Sequence, residues 1–411
     1  MEGIKTKNLI LEESAFDRVE IERRMQDGGF NSLAKFELFI WDLEMFLQLQ
    51  KKLGDKILLK GGAATQFYIP ITAQRTSIDI DMICMAPREE VHKVIFEIET
   101  EFGGEGELCK FRPYKPKNPK LGLEKLETFY VTVPSVCSGK ELHATNGKQE
   151  VKIEFLFSEN EYVINKIKQP ELFALETERE FNILALEELF ADKLTTLGPN
   201  TIGVSEQRAD EQLKQIYDVI TLFISNIDQI TAKIELVKKN YIRVAEIECQ
   251  IHEISYDLDK LFDDMKALIN RVKNIESDDT LLQHANNFQS LYLRSSVNRD
   301  KTSWAIVGYQ IDMLIEYIFH NDKRILQFRE IEEFLYKLKF EHIKGPERGL
   351  INKAIRHTLE SAFSSIGRLT ADLFKKRFER IIWELTNYVS YNEIKEALKE
   401  IIDANMGLSK R

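Results

Sequence analysis

The chain of 411 residues carries 57 Lys and Arg against 67 Asp and Glu, a net charge of −10, and 43% of its residues are hydrophobic. That length is comfortable for two domains with a substantial core, and the acidic balance argues against indiscriminate nucleic-acid binding over the whole surface. Four scattered cysteines, Cys84, Cys109, Cys137 and Cys249, form no CxxC pair, which argues against a disulfide framework or a structural zinc. No apolar run approaches a membrane span and the first residues lack a signal-peptide layout, so a cytoplasmic location is expected.

Residues 1–56 read as a helical preface. Leu33, Phe36, Phe39, Ile40, Leu43, Phe46 and Leu47 recur near a helical period up to Gly54, and the spacing predicts a helix packed on a following sheet, with no chemistry of its own.

The stretch ILLKGGAATQFYIPITAQRTSIDIDMICM, Ile57 to Met85, brings glycines, cations and paired carboxylates closest together. An apolar run leads into Lys60 and Gly61-Gly62; a short helical segment and Pro70 follow. Strict alternation then predicts a strand with Arg75, Ser77, Asp79 and Asp81 on one face and Ile78 and Ile80 on the other. Residues two apart on a strand lie roughly 6.5–7 Å from each other, so Asp79 and Asp81 repel unless a cation sits between them. Glycines at a helix mouth let backbone N–H groups approach phosphate. A phosphate cradle followed by a carboxylate pair suits a nucleoside triphosphate with its divalent cation.

Gly-Gly, a spacer, then Asp-hydrophobic-Asp resembles the signature of the DNA polymerase β-like nucleotidyltransferase superfamily. The fuller string LLKGGAA…RTSIDIDM is similar to its AbiEii (AbiEii/AbiGii-type, DUF1814) branch of toxins. The resemblance implies an α+β fold, a mixed β-sheet flanked by helices, and two-metal chemistry with Mg²⁺ (or Mn²⁺) and an NTP. In that reading Asp79, Asp81 and a third carboxylate hold metal. Gly61, Gly62, Arg75 and Ser77 contact the nucleotide, the acceptor is an RNA such as a tRNA 3′ end, and a cognate antitoxin is a partner. The chain departs from the pattern at Ala63, where relatives carry a hydroxyl; Thr65 lies nearby.

Further along, Pro87 opens a helix over Arg88 to Phe102. A basic segment follows, Lys110 to Lys125, with Phe111 and Tyr114 interleaved. It reads either as a solvated loop or as a phosphate-tracking arm with an aromatic ring free to stack on a base. Strands are predicted at ETFYVTVPSV and VKIEFLF. In the second, Glu154 is a lone acid in an apolar strand and matches by order the superfamily's third carboxylate, where many relatives use Asp. Helices are predicted at 183–198 and 208–223. There Ala191-Asp192-Lys193-Leu194 and Lys214-Gln215-Ile216-Tyr217-Asp218 are similar to the family's later signature, in which the Lys holds the triphosphate and the Asp orients the acceptor. The resemblance carries those roles to Lys193 and Asp218.

Composition then shifts. Eight of nine prolines precede residue 200, and between Gly203 and Gly308 there is neither glycine nor proline. This predicts an all-α helical bundle domain over 226–411 behind a nucleotidyltransferase domain over 1–225. Ile234 to Ile275 reads as one helix of about 60 Å or a two-helix hairpin, with more helices at 303–320, 323–340, 347–365 and 370–404. Lys375, Lys376, Arg377 and Arg380 form a basic helix end facing RNA or water. A small-molecule or protein acceptor, and a catalytically degenerate binding module, stand as the alternatives to an RNA-modifying enzyme.

Overall fold

The computed structural model describes residues 8–102, 109–115, 124–142, 149–367 and 369–406. Seven strands form one mixed sheet: β1 (Ile57–Lys60), β2 (Asp79–Cys84), β3 (Phe111–Pro113), β4 (Leu126–Thr132), β5 (Glu150–Phe157), β6 (Ile164–Lys168) and β7 (Glu180–Leu184), in the order β3-β4-β5-β2-β1-β7-β6. The parallel contacts are β2 with β5 and β1 with β7; the others are antiparallel. The predicted strand from Arg75 begins only at Asp79. Arg75 to Ile78 leave the sheet, and so do not share its alternation.

Before the sheet come α1 (Arg18–Gly28), capped by the Asp17 carboxylate on Val19 and Glu20 N–H, and α2 (Leu33–Leu53), capped by Ser32. Both caps satisfy N–H groups that a helix start leaves open. α2 is buried on nearly every side and its Phe36, Phe39, Ile40, Leu43 and Phe46 share one core with Ile80, Met82, Ile153 and Phe155. The period-2 burial of β2 and β5 therefore sends their isoleucines to α2 and their charged residues to the opposite face.

Next in order are α3 (Gly61–Thr65), α4 (Arg88–Phe102), α5 (Leu186–Thr195), α6 (Ala209–Ser225), α7 (Ile227–Ala232), α8 (Ile234–Ile251), α9 (Leu258–Lys273) and α10 (Asp279–Tyr292). The apolar run 234–275 is thus a hairpin of α8 and α9, turned through Glu253 at φ +57°. β6 and β7, absent from the sequence reading, occupy a sheet edge, and the helix expected from 183 starts at Leu186 because β7 takes the residues up to Leu184.

Packing divides the chain into two units. The first takes in residues up to Met265 and Gln283–Asn298; the second takes in Lys266–Leu282 and residues from Arg299 on. The first unit therefore extends past residue 225, because α8 docks on α5: Lys233 pairs with Glu187 at 2.5 Å and Arg243 with Glu188 at 3.0 Å. The second unit is helical, with α11 (Lys301–His320), α12 (Phe328–Leu338), α13 (Pro346–Phe363), α14 (Phe378–Leu385), α15 (Tyr391–Ala397) and α16 (Lys399–Met406). The helix expected over 370–404 is broken into three, the second of them started by a capping box on Ser390 and Glu393.

The loop from α5 to α6, which sets the relative positions of Lys193 and Asp218, is pinned by Asp264. Its carboxylate accepts from Asn200 N and Nδ2 at 2.8 and 2.9 Å and from Thr201 Oγ1 at 2.8 Å. Asp264→Ala leaves these donors without their acceptor and should cost about 1–3 kcal/mol, read as a lower urea midpoint; an unchanged midpoint would show that the loop holds itself.

Candidate active site

Register decides which side chains meet. Lys60 is the partner of Asp81 across β1 and β2, Asp81 of Glu154 across β2 and β5, and Glu154 of Thr128 across β5 and β4. These four make one row over four strands on one face. A second row joins Asp79, Lys152 and Tyr130. Neighbours in a row stand about 4.8 Å apart in backbone spacing, so Asp79, Asp81 and Glu154 share a face and Lys152 lies among them. Burial disfavours the Lys152 ammonium, but Glu154, Asp79 and Asp81 outweigh it and hold its pKa above the ordinary lysine value. Its Nζ is 3.1 Å from Glu154 Oε2, to which Thr128 Oγ1 also donates at 3.3 Å. Asp79 and Asp81 are half-buried and enter none of the ion pairs that engage the surrounding lysines and arginines.

The glycine doublet has a steric reason at each position. Gly61 has φ +69°, and a Cβ there would run into the Asp81 carboxylate, with Asp81 Cγ 2.9 Å away. At Gly62 a Cβ would lie 2.7 Å from Arg75 Nη2 and 2.9 Å from Ser77 Oγ. The doublet thus admits Asp81 on one side and Arg75 with Ser77 on the other. Thr65, the nearest hydroxyl to Ala63, donates to Gly61 O at 3.0 Å and is fully buried.

Arg75, Lys193 and Asp218 come together as a closed ion cluster. Arg75 Nε and Nη2 donate to the two Asp218 oxygens at 2.7 Å each, and Nη1 donates to Thr76 O. Lys193 Nζ lies 2.9 Å from Asp218 Oδ2 and 2.8 Å from Gln215 Oε1. Burial raises the cost of the Asp218 charge, yet Arg75 and Lys193 more than offset it and hold the carboxyl below its usual range. The side chains are 1%, 3% and 0% exposed for Arg75, Lys193 and Asp218. All three are buried and paired with one another; they brace Gly62 and join the segment before β2 to α5 and α6.

Several neighbours were missed by sequence reasoning, and α2 supplies two of them. Glu37 and Glu44 are satisfied by Ser135 Oγ and Val136 N, and by Ile10 N and Leu11 N. Asp42 differs: it is 1% exposed and both its oxygens lack a hydrogen-bond partner. Burial, then Asp79 and Asp81, push its carboxyl well above the usual range. Lys35 of the same helix is also buried and feels Asp79. So α2 carries charge to the acids, against the expectation that it has no chemistry. Four charges among the otherwise apolar positions 33–47 were the available signal. On the other flank, Lys60 Nζ pairs with Asp192 at 2.8 Å, and Glu248 of α8, half-buried near Asp192 and Glu154, has its pKa pushed up to about 7.

Hard carboxylate oxygens on one face fit Mg²⁺ or Mn²⁺. Asp79 and Asp81 offer theirs free of ion pairs, while Glu154 is turned to Lys152. Among the described residues no three acidic, His or Cys side chains already stand grouped for a metal ion. A hollow of about 660 Å³ opens at the other end of β2 and β5, lined by Cys84, Arg88, Phe157 and Tyr162; it contains none of the site acids.

Much of the basic segment, including Lys117 and Lys120, lies outside the described residues. Phe111 is not free to stack: it is 8% exposed and packs edge-on against Phe129 in β3 and β4. Tyr114 is 52% exposed. Arg112 pairs with Glu150. The basic helix end near α14 is neutralised inside its own unit, Lys375 by Asp372, Lys376 and Arg380 by Glu276, and Arg377 by Asp300.

The mixed seven-stranded sheet flanked by helices is a nucleotidyltransferase-type fold. Residues 46–292 match the family of the nucleotidyl transferase AbiEii toxin of type IV toxin-antitoxin systems. The chain belongs to that family. Among solved structures it is similar to MenT4, a nucleotidyltransferase toxin from Mycobacterium tuberculosis, at 12% identity over 59% of this chain and 74% of that one, with a TM-score of 0.39. It is also similar to JHP933 from Helicobacter pylori, at 13% identity over 71% and 96%, with a TM-score of 0.35. No curated protein matches it.

Asp218→Asn strips the charge that two buried cations share and should cost about 3–5 kcal/mol in denaturant unfolding. Because the folded pKa of Asp218 is depressed, its stabilisation is full above the unfolded value of about 3.9 and fades as pH falls through the folded one. The variant should therefore lose part of the wild-type acid-side slope; an identical slope would dissolve the cluster's assigned role.

Proposed function

We propose that the chain moves a nucleoside monophosphate from an NTP to an acceptor hydroxyl, releasing pyrophosphate, with Asp79, Asp81 and Glu154 as the residues that hold Mg²⁺ or Mn²⁺. The observation that supports this most is the common face of these three carboxylates beside Gly61. A divalent cation held by these carboxylates would supply Lewis-acid stabilisation of phosphoryl charge and lower the pKa of the acceptor hydroxyl. Glu154 Oε2, once parted from Lys152, accepts a proton at the attacking oxygen or completes the ligand set. Lys152 and Lys60 temper the repulsion of the acids in the resting protein. The Arg75, Asp218 and Lys193 cluster holds the turn at Gly61 and Gly62 against β2, so that the carboxylates keep their spacing through the reaction.

Membership in a toxin family supports an RNA acceptor such as a tRNA 3′ end, and a cognate antitoxin as partner. The exposed Lys110, Tyr114, Lys115 and Lys125 are among the described residues of the basic segment with which RNA would meet the protein.

Incubation with α-phosphate-labelled NTPs, Mg²⁺ and tRNA, small-molecule and protein acceptors should place label on RNA. Asp79→Asn and Asp81→Asn should each lower the rate about a hundredfold or more. Label confined to a non-RNA fraction would remove the tRNA acceptor. Label that survives Asp81→Asn would remove the catalytic assignment itself.

A further inference from the structure

The lysines around the carboxylates fall into two groups. Lys60, Lys152 and Lys193 each have a carboxylate within 2.8 to 3.1 Å. Lys35 of α2 and Lys214 of α6 have none among the described residues. Both are more than nine-tenths buried, 6% and 8% exposed, and the contact each ammonium makes is with the ring of Tyr292, at 5.1 and 5.0 Å from its centroid. Each is drawn by Asp79, and Lys35 is repelled by Lys214.

Two buried cations that share one aromatic ring and repel each other are costly unless an anion joins them. A ring can steady an ammonium but supplies no counter-charge. Tyr292 is not loosely placed: its carbonyl accepts from Thr76 N at 3.0 Å, three residues before Asp79, and Phe288 stacks on its ring. Burial and Asp79 push its hydroxyl up to about 12, so it stays neutral. Glu211 also draws both ammonium groups and Asp42 draws Lys35, but neither carboxylate is in an ion pair with them among the described residues, and Asp42 is itself without a hydrogen-bond partner there.

We propose that Lys35, Lys214 and the Tyr292 ring form a seat for phosphoryl oxygens beside Asp79, and that it takes the terminal phosphates of the NTP. The proposal rests on the nucleotidyl-transfer reading for the identity of its ligand. The ammonium groups point their donors at the oxygens of the leaving pyrophosphate, while Asp79 lies at the reacting end. Lys193 and Arg75, locked on Asp218, leave this task to the two lysines outside that cluster. The seat thereby selects polyphosphate esters over nucleoside monophosphates.

The test is calorimetry of the full chain with sodium tripolyphosphate in the absence of metal, on wild type, Lys35→Met and Lys214→Met, each of which keeps the buried stem and removes the charge. Each variant should bind about tenfold more weakly and melt, without ligand, at the same or a higher temperature, since an unpaired buried charge is gone. Wild-type affinity in the variants, absence of binding by wild type, or a lowered melting temperature in both variants would each overturn the seat; the last would mark the lysines as structural. The two readings fail separately. Tripolyphosphate binding that the variants lose, without transfer to any acceptor, keeps the seat and removes the transfer reaction. Transfer with an unchanged KM for NTP in both variants does the reverse.

Discussion

Like charges one pleat apart on a half-buried strand are the constraint from which the rest of the first unit follows. Asp79 and Asp81 cannot turn inward, because Ile80 and Met82 fill the core against α2. They cannot spread apart, because β2 is bonded on both edges, to β1 and to β5. Their repulsion is instead met by cations brought from distant parts of the chain: Lys152 from the next strand, Lys60 from β1, Lys35 from α2 and Lys214 from α6. A sheet face carrying that much opposed charge is expensive as a scaffold. It is well suited to a polyanion that arrives with its own metal.

The cluster of Arg75, Lys193 and Asp218 solves a different problem. The chain between α3 and β2 has no regular hydrogen-bonding partner for much of its length, so something must fix where β2 begins. A bidentate arginine is suited to this, since its planar fork satisfies both carboxylate oxygens in one geometry. Gln66 and Gln74 close the same segment through its backbone, Gln66 Oε1 accepting from Arg75 N and Gln74 Nε2 donating to Gln66 O and Ile69 O. Gly62 is what lets the guanidinium lie close above α3. Asp218, 143 positions from Arg75 in sequence, thus helps to fix where β2 begins, with Lys193 sharing its charge.

The sequence announces these features unevenly. The mixed sheet with flanking helices, the Asp-Ile-Asp strand, and the pairing of Glu154 with it were legible, because period-2 alternation in β2 and β5 is strong and a known family shares the motif. β6 and β7 were not: INKIK is a short edge strand whose polar residues blur the alternation, and EFNIL, paired on both sides, is buried at four of its five residues and so does not alternate. Arg75 was placed on the strand because it continues the alternation, yet a buried partner on α6 draws it out of the sheet. Unit boundaries were hidden for a similar reason. Nothing in the glycine- and proline-free stretch marks where α8 stops packing on α5, and that contact is made by ion pairs whose partners lie about fifty residues apart.

α2 shows why charge inside an apolar helix repays individual attention. Its four buried charged residues look alike in sequence, and hydropathy alone ranks them as equal anomalies. Their surroundings separate them. Glu37 and Glu44 accept backbone N–H groups from segments that would otherwise leave donors unmet, so their burial completes the fold. Among the described residues the Lys35 ammonium meets only the Tyr292 ring and Asp42 has no hydrogen-bond partner, and both lie within electrostatic reach of Asp79. A fold retains buried groups of the second kind at a cost to its own stability. That cost is incurred within electrostatic reach of the carboxylate pair on β2, so α2 bears on those acids as well as on the core.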